Sequence, residues 1–167
     1  MLENLTLKKA VAFAIQTEEL GEKLYTRFAK KFTSEKEVSD IFRQLAKDEI
    51  VHRQQFTKLL EVTAESEDDQ GSYETGDYLK AMAMSDIFSP KSGPFARVND
   101  VQNGNEALLI AFELEKATLG YYIAMKELLG DNRVLKSIIE VEKSHLVNIM
   151  KVLFTDAKFR GLQDQWD

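Results

Sequence analysis

Glu49 and His52 stand three residues apart, as do Glu142 and His145. On a helix that spacing places both side chains on one face, about one turn apart, so that both can reach one metal ion. No other histidine occurs in the chain. Two more acidic residues, Glu18 and Glu115, precede these pairs in matching places. Ala14, Glu18 and Tyr25 align with Ala111, Glu115 and Tyr122, while Leu45, Glu49 and His52 align with Ile138, Glu142 and His145. Repetition of this kind predicts a pseudo-twofold arrangement in which each half supplies one equivalent set of groups.

All six residues interrupt apolar stripes. Leu7, Val11, Ala14, Gly21, Tyr25, Phe28 and Phe32 draw one face of a helix from about Leu5 to Phe32, and Glu18 fills its missing step. Val38, Phe42, Leu45, Phe56 and Leu59 mark a second helix ending near Ala64, where Glu49 and His52 are the exceptions. A third, from about Asn105 to Leu129, carries Leu108, Ala111, Thr118, Tyr122 and Met125 and is broken by Glu115. A fourth carries Leu135, Ile138, Ile149 and Val152 and is broken by Glu142 and His145. A buried carboxylate costs several kcal/mol unless it is paired or binds a cation. Four converging on one core would drive each other's pKa upward. Two divalent ions would neutralise all four. Oxygen and nitrogen ligands without sulfur suit iron or manganese, with zinc as a further candidate.

The elements that must position these groups form an all-α four-helix bundle. Ser34 and Glu37 read as a capping box that starts the second helix, so the first two helices make an antiparallel hairpin. Gly130 suits a left-handed cap ending the third helix, and Asp131 is placed to cap the fourth, giving a second antiparallel hairpin. Between the hairpins, residues 65–103 read as a long crossover. It opens on Glu65, Glu67, Asp68 and Asp69, is punctuated by Gly71, Gly76, Pro90, Gly93 and Pro94, and holds a short helix over Asp77 to Phe88. Residues 1–157 are expected to form a single domain, followed by a tail at 158–167 whose Trp166 is a candidate for docking on the bundle. Two Glu-x-x-His segments plus one Glu from each remaining helix is the ligand pattern of ferritin-like dimetal bundles.

Several neighbours carry two readings each. Tyr25 and Tyr122 lie two turns beyond Glu18 and Glu115, as outer hydrogen-bond donors or redox-active aromatics, or as core packing. Glu22, one turn from Glu18, is either an additional mobile ligand or outer partner, or a solvated charge. Asp48 either orients a ligand histidine or is a surface charge. Gly21 and Thr118 either leave open space beside the metals for oxygen or peroxide, or permit close helix approach.

Composition removes other classes. The 167 residues are 44% hydrophobic and 30% charged, as in a soluble globular domain large enough for a core. A net charge of −6 gives no electrostatic footprint for nucleic acid and none for acidic membrane surfaces. There is no cysteine, hence no disulfide, thiolate metal site or iron–sulfur cluster among these residues. The apolar run Ala10 to Ile15 is too short for a signal-peptide core and is cut off by Thr17, Glu18 and Glu19. A cytoplasmic location is expected.

In Glu18, Glu49-Ile50-Val51-His52, Glu115 and Glu142-Lys143-Ser144-His145 the chain resembles the rubrerythrin branch of the ferritin-like superfamily. The likeness extends to Tyr78-Leu79-Lys80-Ala81 and to Lys158-Phe159-Arg160. It implies a non-haem diiron site in which Glu49 and Glu142 bridge, Glu18 and Glu115 are terminal ligands, and His52 and His145 each bind one iron. It also implies oxidation of two Fe(II) by hydrogen peroxide or dioxygen, leaving a diferric state that must be re-reduced, as in oxidative-stress defence. Rubrerythrins proper add a cysteine-ligated rubredoxin domain and an extra glutamate one turn from the third-helix ligand. Here there is no cysteine, and Ala111, Phe112, Thr118 and Leu119 flank Glu115, so an external electron donor is expected. A homodimer is expected, and the long crossover would permit exchange of hairpins between chains. The competing expectations are an iron storage or delivery protein and a helical interaction module stabilised by metal.

Overall fold

The computed structural model describes residues 6–63, 81 and 93–154. Among these residues the chain is all-helical: α1 spans Leu7–Lys31, α2 Lys36–Val62, a single turn α3 Gly93–Ala96, α4 Gly104–Leu129 and α5 Arg133–Leu153. The helix expected at Asp77 to Phe88, the charged run after Ala64, Tyr78-Leu79-Lys80 and the tail with Trp166 lie outside the described residues. No described helix is long and apolar enough to cross a membrane.

The helix ends follow local chemistry, with two departures from expectation. Thr6 caps α1 by accepting from the Lys9 amide at 3.3 Å, and Asn103 caps α4 by accepting from the Glu106 amide at 3.0 Å. The Ser34–Glu37 capping box does not form. Glu35 is the N-cap residue of α2 and makes no side-chain cap bond. Its carboxylate is engaged elsewhere, accepting from the Gly104 amide at 3.1 Å. Nor does Asp131 cap α5. Gly130 turns the chain with a φ of 66°, which favours glycine, and Asn132 then accepts from the Leu135 amide at 3.1 Å. Asp131 pairs with Lys136 instead.

α1 packs along α2 and α4 packs along α5, each pair joined by a short turn, while α1 meets α4 and α2 meets α5. Ser39 ties the first pair by donating to the Ala29 carbonyl at 2.8 Å. Tyr121 ties α4 to the start of α1 by donating to the Ala10 carbonyl at 3.1 Å. The stretch 93–103 closes one end: Val98 and Val101 are buried, Lys31 donates to the Val101 carbonyl at 2.5 Å, and Arg97 pairs with Glu113.

The interior is two apolar clusters. One holds Leu24, Phe28, Phe42, Leu45, Leu108, Leu114 and Ile149. The other holds Ala14, Phe56, Leu59, Tyr121, Met125, Leu135 and Ile138. Every long helix contributes to both. Each crosses between them through its acidic residue: Glu18 in α1, Glu49 in α2, Glu115 in α4 and Glu142 in α5. The fold thereby sandwiches a polar layer between two dry ones.

Candidate metal centre

All six sequence-selected residues are brought together in that polar layer, none more than 4% exposed. Glu18, Glu49, His52 and Glu142 present ligand atoms that all lie within 4.8 Å of one another, and Glu49, Glu115 and His145 do the same. Glu49 belongs to both groups. Glu142 turns one oxygen to each imidazole: Oε1 lies 2.9 Å from His52 Nδ1, and Oε2 lies 3.5 Å from His145 Nδ1. Glu115 Oε2 is 3.1 Å from His145 Nδ1, and Glu18 Oε2 is 3.5 Å from His52 Nδ1. The two imidazole centroids are 5.7 Å apart.

Of these approaches, His145 Nδ1 to Glu115 Oε2 is a hydrogen bond, and the others leave atoms unpartnered. His52 Nδ1, Glu18 Oε2 and both Glu142 oxygens are buried with no hydrogen-bond partner. Buried polar atoms without partners are costly, and in native proteins they call for a reason. Ligand bonds of about 2.1 Å at right angles would hold neighbouring donor atoms about 3.0 Å apart. That is the spacing of Glu142 Oε1 and His52 Nδ1. The donor set fits a divalent cation.

Two of the four carboxylates are held from outside the layer, each by a tyrosine of the opposite hairpin. Tyr25 of α1 donates to Glu115 Oε1 of α4 at 2.5 Å, and Tyr122 of α4 donates to Glu18 Oε1 of α1. Both hydroxyls lose acidity through burial and the adjacent carboxylates, so they remain donors. Asp48 reaches His145 Nε2 at 3.1 Å and itself accepts from the Gln44 amide at 2.9 Å. An imidazole gripped at one nitrogen is oriented at the other. Asp48 was legible only as the lesser of two readings, since its residue type and place beside Glu49 fit a surface charge better.

Glu22 stands apart from the group. It pairs with Arg53 at 2.8 Å and is partly exposed. Four residues advance a helix by slightly more than one turn, which swings Glu22 off the inward line toward α2 and its arginine. Phe95 was missed altogether. It comes from α3 and lines a small cavity with Thr17, Gly21, Tyr25, Leu114 and Thr118, against Glu49 and Glu115. Nothing in Gly93-Pro94-Phe95 signals where that ring lands, because the crossover's path is not set by periodicity.

Without metal the layer stores protons. Burial first, then Glu18, pushes Glu49 well above the ordinary carboxylate range. Burial and the Glu142 charge push Glu115 up to about 7. Burial acts on Glu142 in the same direction, but the His145 and His52 imidazoles outweigh it and hold that carboxyl low. Burial would lower both histidines. It is overcome for His52 by Glu142 and Glu18, raising it to about 9, and for His145 by Asp48, Glu115 and Glu142, raising it to about 12. Protons occupy the positions that cations would take.

The Rubrerythrin family model matches residues 9–153, a span that contains all six clustered residues. The chain belongs to the rubrerythrin family. Its bundle is the ferritin-like fold expected from the stripes, and this rubrerythrin-family chain carries a Glu/His group able to hold metal. No curated protein and no solved structure matches it.

Proposed function

We propose that the polar layer holds two iron ions and that the protein oxidises Fe(II) with hydrogen peroxide or dioxygen, a peroxidase or oxidase role in oxidative defence. The observation that carries this reading is the set of unpartnered, converging ligand atoms on Glu18, His52 and Glu142. Glu49, common to both groups, and Glu142, with one oxygen toward each imidazole, suit the bridging positions. Bound iron would supply the electrons that cleave the O–O bond. The chain's own contribution is placement and dryness. Tyr25, Tyr122 and Asp48 fix ligand orientation, and the apolar clusters on both sides keep bulk water out.

The cavity beside Glu49 and Glu115 supports a small oxidant. Its volume of about 20 Å³ holds one water-sized molecule. Its hydroxyls are already committed: Thr17 donates to the Phe13 carbonyl, Thr118 to the Leu114 carbonyl and Tyr25 to Glu115. With Glu49 and Glu115 ionised, as bound metal would require, the walls offer acceptors and no spare donor, which favours hydrogen peroxide, a donor, over dioxygen. A Cβ on Gly21 would sit 3.2 Å from Glu49 Cδ and intrude on this space. Gly21→Ala is therefore expected to slow peroxide-driven oxidation about tenfold, while the better helix former, worth up to about 1 kcal/mol, keeps thermal stability near that of the parent. Stopped-flow rates beside a melting curve read the two effects separately.

The test of the function is anaerobic Fe(II) titration followed by mixing with peroxide or oxygen. Saturation at two irons per chain, with rapid oxidation and turnover when reductant is supplied, is the expected result. Retention of many irons after aerobic loading would replace this reading with storage. Metal that stays redox-silent would replace it with a structural role.

A further inference from the structure

A groove of about 630 Å³ runs between α2 and α5 and leads to His145. That volume lies within the range of small-molecule sites. Ile41, Leu45 and Val152 form its apolar wall. The helices run in opposite directions, with Asp48 against His145, and Lys36 and Lys151 both line the groove beyond that pair, about 18 Å and about 9 Å along their helix axes. From Leu45 to Lys36 the α2 axis covers about 14 Å. Neither lysine has an ion-pair partner among the described residues, and Asp40, which also lines the groove, is held by Arg43 at 2.6 Å. Of the two acids lining the groove, Glu37 is the one without an ion-pair partner among the described residues. The Glu35 carboxylate is turned to Gly104, leaving the first-turn amides of α2 without a side-chain cap at this same end. Such amides add to the attraction for an anion.

We propose that this groove binds a phosphate-bearing flavin, and that it is where electrons arrive at the metal centre. The second half rests on the redox reading given above. The groove has a cationic pole, an aliphatic middle and, in the Asn148 amide and the Gln44 amide oxygen, polar groups able to meet the polar edge of an isoalloxazine ring. His145 closes the other end and reaches into the centre through Nδ1, 3.1 Å from Glu115. The chain's 167 residues contain no cysteine and so no thiolate iron centre to relay electrons. Two metal ions each accept a single electron. A dihydroflavin can release its two electrons one at a time, whereas a nicotinamide delivers a hydride pair. In balance, one dihydroflavin reduces two ferric ions to two ferrous ions, releases two protons and leaves as oxidised flavin.

Binding is tested on the full chain as purified, by fluorescence titration of oxidised flavin mononucleotide and of riboflavin, which lacks the phosphate. The expected result is saturable quenching with flavin mononucleotide held more tightly. Lys36→Ala combined with Lys151→Ala should weaken flavin mononucleotide about tenfold and leave riboflavin unchanged. No saturation up to roughly 1 mM, equal binding of the two flavins, or an unaltered affinity in the double variant would each overturn the site. The metal reading is judged separately, by single-turnover oxidation of Fe(II) without flavin. Flavin binding without that oxidation upholds the groove and removes the proposed function; oxidation without flavin binding does the reverse.

Discussion

Glu142→Ala is expected to lower the metal capacity from the proposed two ions per chain to one at most, and to slow Fe(II) oxidation by peroxide by about 100-fold or more. Groups that merely support a ligand are worth about 10–100-fold when lost. Glu142 stands closer in: fully buried, with one oxygen toward each imidazole and neither oxygen hydrogen-bonded. Deleting it takes a donor from both halves of the group at once. The metal-free variant should also be less stable by about 3–5 kcal/mol, because two buried imidazolium ions lose their shared counter-charge. Glu142→Gln preserves the shape and separates packing from charge. Glu19 is the control. It faces outward and pairs with Lys23 at 2.5 Å, so Glu19→Ala should bind the full complement of metal. Anaerobic Fe(II) titration with metal analysis checks all three variants, and loss of metal in the Glu19 variant would mean that the helix phase is wrong.

The second large effect is on pH. Metal-free protein should lose stability steadily as pH rises from about 5 to 9, whereas metal-loaded protein should not. For His52 the folded value is about 9 against 6.5 in the unfolded chain. Its contribution is complete below about 6.5 and disappears as pH climbs through about 9, a change of about 3 kcal/mol. Glu115 acts in the same direction. Its folded value of about 7 exceeds 4.5, so the folded state holds its proton longer, and stability falls across that interval. Metal replaces these protons and removes the dependence. Loading at neutral pH should consequently expel about three protons for two ions, chiefly from His52, His145 and Glu49. Melting curves against pH, with and without Zn(II), measure the first quantity, and calorimetry in buffers of different ionisation enthalpy measures the second.

The long helices and the six clustered groups were legible because each rests on phase. A glutamate in the missing step of an apolar stripe has its direction set by every leucine around it, and Glu18, Glu49, Glu115 and Glu142 all point where their stripes say. Features that depend on two distant segments were not legible in the same way. Tyr25 sits two turns from Glu18, yet its hydroxyl goes to Glu115 across the bundle. Helical spacing puts the tyrosine on the inner face and says nothing about which partner lies opposite. Glu35 left its own helix end for the Gly104 amide, and Phe95 entered the cavity wall from a stretch without periodicity. Glu22 shows the converse. One turn along is near enough in sequence to suggest membership, but a residual rotation and one arginine redirected it.

The two apolar clusters separated by a charged layer have a consequence for how the protein comes apart. A continuous core opens as one unit, but here, among the described residues, the buried hydrocarbon forms two clusters with the acid and imidazole groups lying between them. When cations stitch that layer, the halves are bound to the same ions and must breathe together. When it holds only protons, either end of the bundle is free to loosen while the other stays shut. Metal content would thus govern whether this small protein behaves as one cooperative body or as two stacked ones.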